Sequence, residues 1–136
     1  MNRTITIDDI LNSAAGARNR HLQKTEDKKK RSKYNAQRIN AEGMEFDSRK
    51  EAKRYRELKI LLKEGIIMFL ATQVEFSFQL KGQKIASYYA DFVYQDIVTG
   101  DLIVEDVKSD ATRKLPVYRL KKKMMLVQHG IKIKEV

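Results

Sequence analysis

The chain has 136 residues, no cysteine, two histidines and a formal net charge of +10, with 42% hydrophobic residues. That length supports one modest core and leaves no room for a second domain of ordinary size. Without cysteine there are no disulfides, thiolate zinc sites or cysteine nucleophiles. With only His21 and His129 as imidazoles, any metal must be held mainly by oxygen.

No apolar run approaches the roughly 20 residues needed to span a bilayer, and the start of the chain lacks the apolar stretch of a signal peptide. A cytoplasmic protein is expected. Residues 1–38 carry ten Lys/Arg against four Asp/Glu, a local charge of +6 that leaves +4 for the remainder. Residues 1–34 therefore read as a basic arm, partly disordered or helical, and residues 35–136 as the folded domain. TIDDIL can cap a short helix, but the stretch holding Lys28, Lys29, Lys30 and Arg31 has no apolar period. An arm of this kind suits phosphates or an acidic protein surface, or is simply solvated.

Around residue 36 the texture changes to AQRI, NAEG and MEF, two short strands about a tight turn. Asp47-Ser48 then opens a helix running to about Glu64 and closed by Gly65, with Ala52, Tyr55, Leu58, Leu61 and Leu62 as its apolar stripe. Three strands follow: IIMFL continuing toward TQVEFSFQL, then KIASYYADFVY, then LIVEDVK, with KGQ and DIVTGD as turns. Pro116 begins a second helix whose seam is Val117, Leu120, Met124 and Val127, ending at His129-Gly130, and IKIKEV supplies a last strand. From Ser48 the order is helix, three strands, helix, strand, which is an α/β sandwich.

The third-strand segment holds the chemistry. If the loop between the second and third strands is Ile97 to Gly100, Asp96 faces Asp101, and counting back sets Asp91 opposite Asp106. Residues so opposed have Cβ atoms roughly 4.5–5.5 Å apart, and like charges there are destabilising unless something compensates, as a divalent cation would. A one-residue slip in that loop would turn Asp106 away. Period-two alternation puts Val104, Asp106 and Lys108 on one face and Ile103, Glu105 and Val107 on the other. Oxygen ligands on rigid strands suit Mg²⁺ or Mn²⁺. Lys108 would either orient an attacking water or neutralise charge on a phosphate. The competing reading makes the two aspartates strand-end charges and Lys108 their salt-bridge partner. Glu51, at the head of the apolar face of the first helix, points at the sheet, although Ser48-x-x-Glu51 is also a capping box.

These residues resemble the PD-(D/E)XK nuclease superfamily, and more closely RecU-like Holliday-junction resolvases and their small phage-encoded relatives. The likeness rests on FDSRKEAKRYREL, on Ala90-Asp91-Phe92, on Glu105-Asp106-Val107-Lys108 and on a Lys-rich helix, and covers roughly residues 33–136. It implies a restriction-endonuclease-like core and an Mg²⁺-dependent endonuclease for branched DNA, acting in recombination or replication, with Mn²⁺ as a substitute ion. By the same resemblance Asp91, Asp106 and the Val107 backbone carbonyl hold the metal. Lys108 assists catalysis, Glu51 supports the metal directly or through water, and Gln73 is a polar residue near the site. Two departures stand out: Ala90 replaces the proline that names the superfamily, and Glu105 competes with Asp106 as the coordinating acid. Arg113, Lys114, Arg119, Lys121, Lys122 and Lys123 are expected to contact DNA phosphates, and cutting two strands of a junction implies a homodimer. At most one of Tyr88 and Tyr89 can face DNA. The alternative function is a DNA- or protein-binding regulatory module that keeps the fold and has lost the chemistry.

Overall fold

The computed structural model describes residues 6–10 and 38–136. Strands β1 (Ile39–Ala41) and β2 (Met44–Phe46) pair antiparallel around Glu42-Gly43. Both turn residues have positive φ, 52° and 79°, the conformation that matches a two-residue hairpin to the twist of its strands. Helix α1 (Arg49–Lys63) starts at Ser48, whose hydroxyl accepts the Glu51 N–H, and stops at Glu64 before left-handed Gly65. Its buried residues Ala52, Tyr55 and Leu58 are the core of the expected stripe.

The main sheet contains β3 (Ile67–Leu80), β4 (Gln83–Asp96), β5 (Leu102–Asp106) and β6 (Lys134–Glu135), in that spatial order. The first three form an antiparallel meander, and β6 joins β5 in parallel, so this is a mixed α/β fold. A four-residue helix, α2 (Asp110–Arg113), stands where the sequence reads as loop, and α3 (Pro116–His129) leads back to β6. The sheet is packed on both faces. One side meets α1 and the small hairpin through Phe46, Tyr55, Leu58, Phe92, Tyr94 and Val107. The other meets α3 through Phe76, Phe78, Tyr88, Val104, Tyr118 and Met125. Among the described residues no helix is long and apolar enough to cross a membrane.

The register between β4 and β5 is the one expected. Phe92 pairs with Glu105 and Gln95 with Leu102, and the Asp96 N–H donates to the Asp101 carbonyl at 3.0 Å, so the loop is Ile97 to Gly100. The alternation is less regular than expected. On β3, Ala71 lies on the α3 side, but so do Val74, Phe76 and Phe78; on β4, Tyr88 and Ala90 lie there, but so does Val93. Each strand therefore changes phase once, at the facing pair Gln73 and Asp91, while Thr72–Phe92 and Val74–Ala90 keep a common register on either side. Gln73 adopts φ 53°, and this left-handed residue reverses the following side chains without adding a residue to either strand.

Two expectations are corrected. In α3 the buried residues are Tyr118 and Met125, whereas Val117, Leu120 and Val127 of the expected seam are 65%, 58% and 74% exposed. Polar contacts that no apolar period reveals set the roll of this helix. Tyr118 and Lys122 both bond Glu135, and the His129 ring bonds the Ser77 carbonyl while lying 5.8 Å from both Phe76 and Phe78. The second correction concerns the arm. Residues 7–10 are helical, capped by reciprocal bonds between Thr6 and Asp9, and Ile10 is 1% exposed within the α3-side core. The start of the arm is thus part of the fold. Lys28, Lys29, Lys30, Arg31 and His21 lie outside the described residues.

Candidate metal centre at the fork of two strands

Beyond the Phe92–Glu105 pair the β4–β5 ladder ends, and the space between the strands is filled by side chains. The Asp91 carboxylate takes the place of a backbone partner: Oδ2 accepts the Val107 N–H at 2.8 Å, and Oδ1 accepts from Gln73 Nε2 at 3.2 Å. On its outer edge β5 is closed by the chain end, with Val136 N–H donating to the Asp106 carbonyl and Lys108 N–H to the Val136 carbonyl. Because backbone groups alternate sides along a strand, the Val107 carbonyl is directed toward Asp91.

Asp106 is fully buried. Its Oδ2 accepts the Tyr88 hydroxyl at 2.8 Å, and its Oδ1 lies 2.7 Å from Lys108 Nζ. That ammonium is close enough for an ion pair but misaligned for a hydrogen bond, so Oδ1 is a buried oxygen without a hydrogen-bond partner. Lys108 Nζ is also 3.8 Å from Asp91 Oδ2. Asp91, Asp106 and Lys108 therefore meet as the hairpin register requires.

The electrostatics follow from this crowding. Burial, then the adjacent Asp106 carboxyl, pushes Asp91 up to about 8, so Asp91 holds a proton near neutrality. Burial alone would lower Lys108, but Asp91 and Asp106 outweigh it and hold the ammonium above its ordinary value. Tyr88 is raised by burial and by Asp106, which keeps it a hydrogen-bond donor.

Glu51 stands at the rim. Its N–H donates to Ser48 Oγ at 3.1 Å and its Oε1 accepts the Ser48 hydroxyl at 3.2 Å, so half of the capping box is built. Its carboxyl is raised by burial and by Asp47, and is held back by Ser48 and Lys108. An open cleft of about 600 Å³ lies above, lined among others by Lys50, Glu51, Lys108, Ser109 and Thr112. Lys50, which the sequence did not single out, donates from Nζ to the carbonyls of Lys108 and Val136.

Several expected site residues sit elsewhere. Glu105 points to the opposite face, where Arg54 binds it with two nitrogens at 2.5 and 2.9 Å and Tyr94 donates at 2.8 Å. It is no ligand of this centre. Lys122 and Arg113 are drawn to Glu135, at 2.5 and 3.7 Å, whereas Lys114, Arg119 and Lys123 are exposed. Lys121 is half-buried on α3. Of the two tyrosines, Tyr88 is the core residue and Tyr89 is 44% exposed. Tyr88 and Glu135, the latter beside Asp106 across the β5–β6 pair, were missed as members of this neighbourhood because only tertiary pairing brings them there.

Fold and site together define a small mixed α/β protein with two buried aspartates and a lysine converging where two strands part. The chain belongs to the family described as protein of unknown function (DUF1064), which it matches over residues 31–134. No curated protein and no solved structure matches the chain.

Proposed function

We propose that this protein is an Mg²⁺- or Mn²⁺-dependent nuclease that hydrolyses phosphodiester bonds in DNA. The observation that carries the reading is the pair of buried carboxylates side by side at the strand fork, with the Asp106 Oδ1 atom lacking a hydrogen-bond partner and Lys108 between them. Like charges so placed invite a cation, and hard oxygen donors suit Mg²⁺ or Mn²⁺, so the residues fit the ion. Asp91, Asp106 and the Val107 carbonyl would hold it, with Glu51 at the rim. When bound, such an ion polarises a scissile phosphate and makes a neighbouring water more acidic.

The chain's own groups have definite tasks. Lys108 keeps its proton, so its part is to offset negative charge on the phosphate rather than to act as a base. Gln73 and Val107 N–H fix Asp91, and Tyr88 fixes Asp106. Glu51, raised and facing the cleft, can orient a water. Lys50 borders the same cleft, and with Lys114, Arg119, Lys121 and Lys123 it can meet flanking phosphates, contacts that weaken steeply with salt.

The element order and the quoted motifs support a restriction-endonuclease-like core, and their closer likeness supports branched DNA as the substrate. Two cuts in one junction call for two copies, and the exposed Val117, Leu120 and Val127 row on α3 offers the apolar surface for a homodimer.

The test is Mg²⁺-dependent cutting of a synthetic four-way junction, abolished by Asp106→Asn or Lys108→Met with the fold retained. Cutting by both variants at the wild-type rate would remove the site assignment, and indifference to branching would leave a general nuclease. One observation favours the lapsed-module alternative: among the described residues no three Asp, Glu or His side chains form a metal-holding group. Absence of Mn²⁺ binding in calorimetry would put that alternative first.

A further inference from the structure

Alongside the Lys50 contacts to backbone carbonyls, a side-chain ion pair, Arg54–Glu105, joins α1 to the sheet. Glu105 is fully buried on the α1 side of β5. Arg54 grips both of its oxygens, Tyr94 supplies a third hydrogen bond, and Lys134 Nζ stands 3.7 Å away at the sheet edge. A planar guanidinium bound through two nitrogens fixes distance and angle together, which a single ammonium contact does not. The two ends of this strut are placed beside the fork. Arg54 is three residues after Glu51 on the same helix, and Glu105 immediately precedes Asp106, whose side chain leaves the opposite face of the same strand.

We infer that Arg54 and Glu105 are positioning residues for the carboxylate centre, locking the start of α1, and with it Glu51, against the strand that carries Asp106 and Lys108. This rests on the nuclease reading above. A buried ion pair is a poor device for stability, since well-packed apolar residues of similar volume commonly do as well or better. Its distinctive contribution is orientation. A shift of α1 along the sheet would move Glu51 relative to Asp91 and Lys108, both of which already feel its charge. Groups that orient a metal's ligands typically change affinity or activity by about 10–100-fold when removed.

The experiment compares the full-length wild type with Arg54→Lys and with the apolar double variant Arg54→Met, Glu105→Leu, reading Mn²⁺ affinity by calorimetry, junction cleavage and thermal unfolding. Arg54→Lys is expected to weaken Mn²⁺ binding and slow cleavage by about 10–100-fold, with KM for DNA unchanged. The apolar pair is expected to recover the wild-type melting temperature without recovering Mn²⁺ affinity. Wild-type Mn²⁺ affinity in Arg54→Lys, or full recovery of binding in the apolar pair, would overturn the positioning role. Failure of the wild type itself to bind Mn²⁺ would instead overturn the nuclease reading on which it rests.

Discussion

Replacing Asp91 by asparagine should stabilise the metal-free protein, by an amount that depends on pH. Asparagine keeps an oxygen for the Val107 N–H and places its amide where Asp91 Oδ1 now meets Gln73. Exposed Gln73 can flip its own amide to suit. Two Coulomb effects oppose each other, repulsion from Asp106 and attraction to Lys108, and the latter, across 3.8 Å, is worth roughly 4 kcal/mol at an effective dielectric near 20; burial is the largest influence on Asp91. The burial cost of the Asp91 charge therefore decides the sign. In the folded chain Asp91 keeps its proton up to about pH 8, whereas unfolded it titrates near 3.8. The contribution of Asp91 to wild-type stability is thus fullest below about pH 4 and is lost as pH rises to about 8. Asparagine does not titrate, so the variant's advantage widens over that window and then levels off. The ceiling is roughly 6 kcal/mol at ~1.4 kcal/mol per pH unit. Water entering from the open cleft reduces the expected gain to about 2 kcal/mol at pH 8, or roughly 6–10 °C in Tm. Thermal melts in chelator from pH 4 to 9 measure it. A gain that does not vary with pH, or a loss at pH 8, would refute the reasoning.

Gln73→Val should cost roughly 1–3 kcal/mol in urea unfolding, because a β-branched residue resists the left-handed backbone that reverses the strand there; an unchanged midpoint would show that the phase change does not depend on that conformation. Leu120→Glu should turn a homodimer into a monomer in light scattering without lowering Tm, since the side chain is 58% exposed in the single chain. A monomeric wild type would dispose of the dimer instead.

The meander was legible because its turns are chemically explicit. Lys81-Gly82 and Glu42-Gly43 take the positive φ angles that two-residue hairpins require, and Gly100 ends the loop that sets Asp91 against Asp106. The helix bounds were legible for the same reason, with Ser48, Gly65, Pro116 and Gly130 marking them. The roll of α3 was not. Its sequence holds two competing rows, one aliphatic and one containing Tyr118 and Met125, and the choice is made by Glu135 and Ser77 far away in the chain. The separation of Glu105 from Asp106 followed from simple alternation, but the partner of Glu105 did not. Arg54 reads as one more charge on a charged helix until the fold lays it across β5.

The local rules broken in this fold gather around the Asp91–Asp106 fork. Gln73 is a long, polar residue held at φ 53°, its neighbour across the ladder is a buried aspartate raised to about 8, and the next strand offers a second buried aspartate beside it. Each of these costs stability, and each has a cheaper replacement: glycine for the backbone, asparagine for the charge. The phase change also has a geometric effect that a regular strand lacks. It lets β4 bury Ala90 and Val93 on one side while turning Asp91 into the gap beside Val107, where its carboxylate can meet Asp106 without either leaving its own strand. Strain and like charge thus serve one arrangement, and a cation held between the two carboxylates would relieve the repulsion.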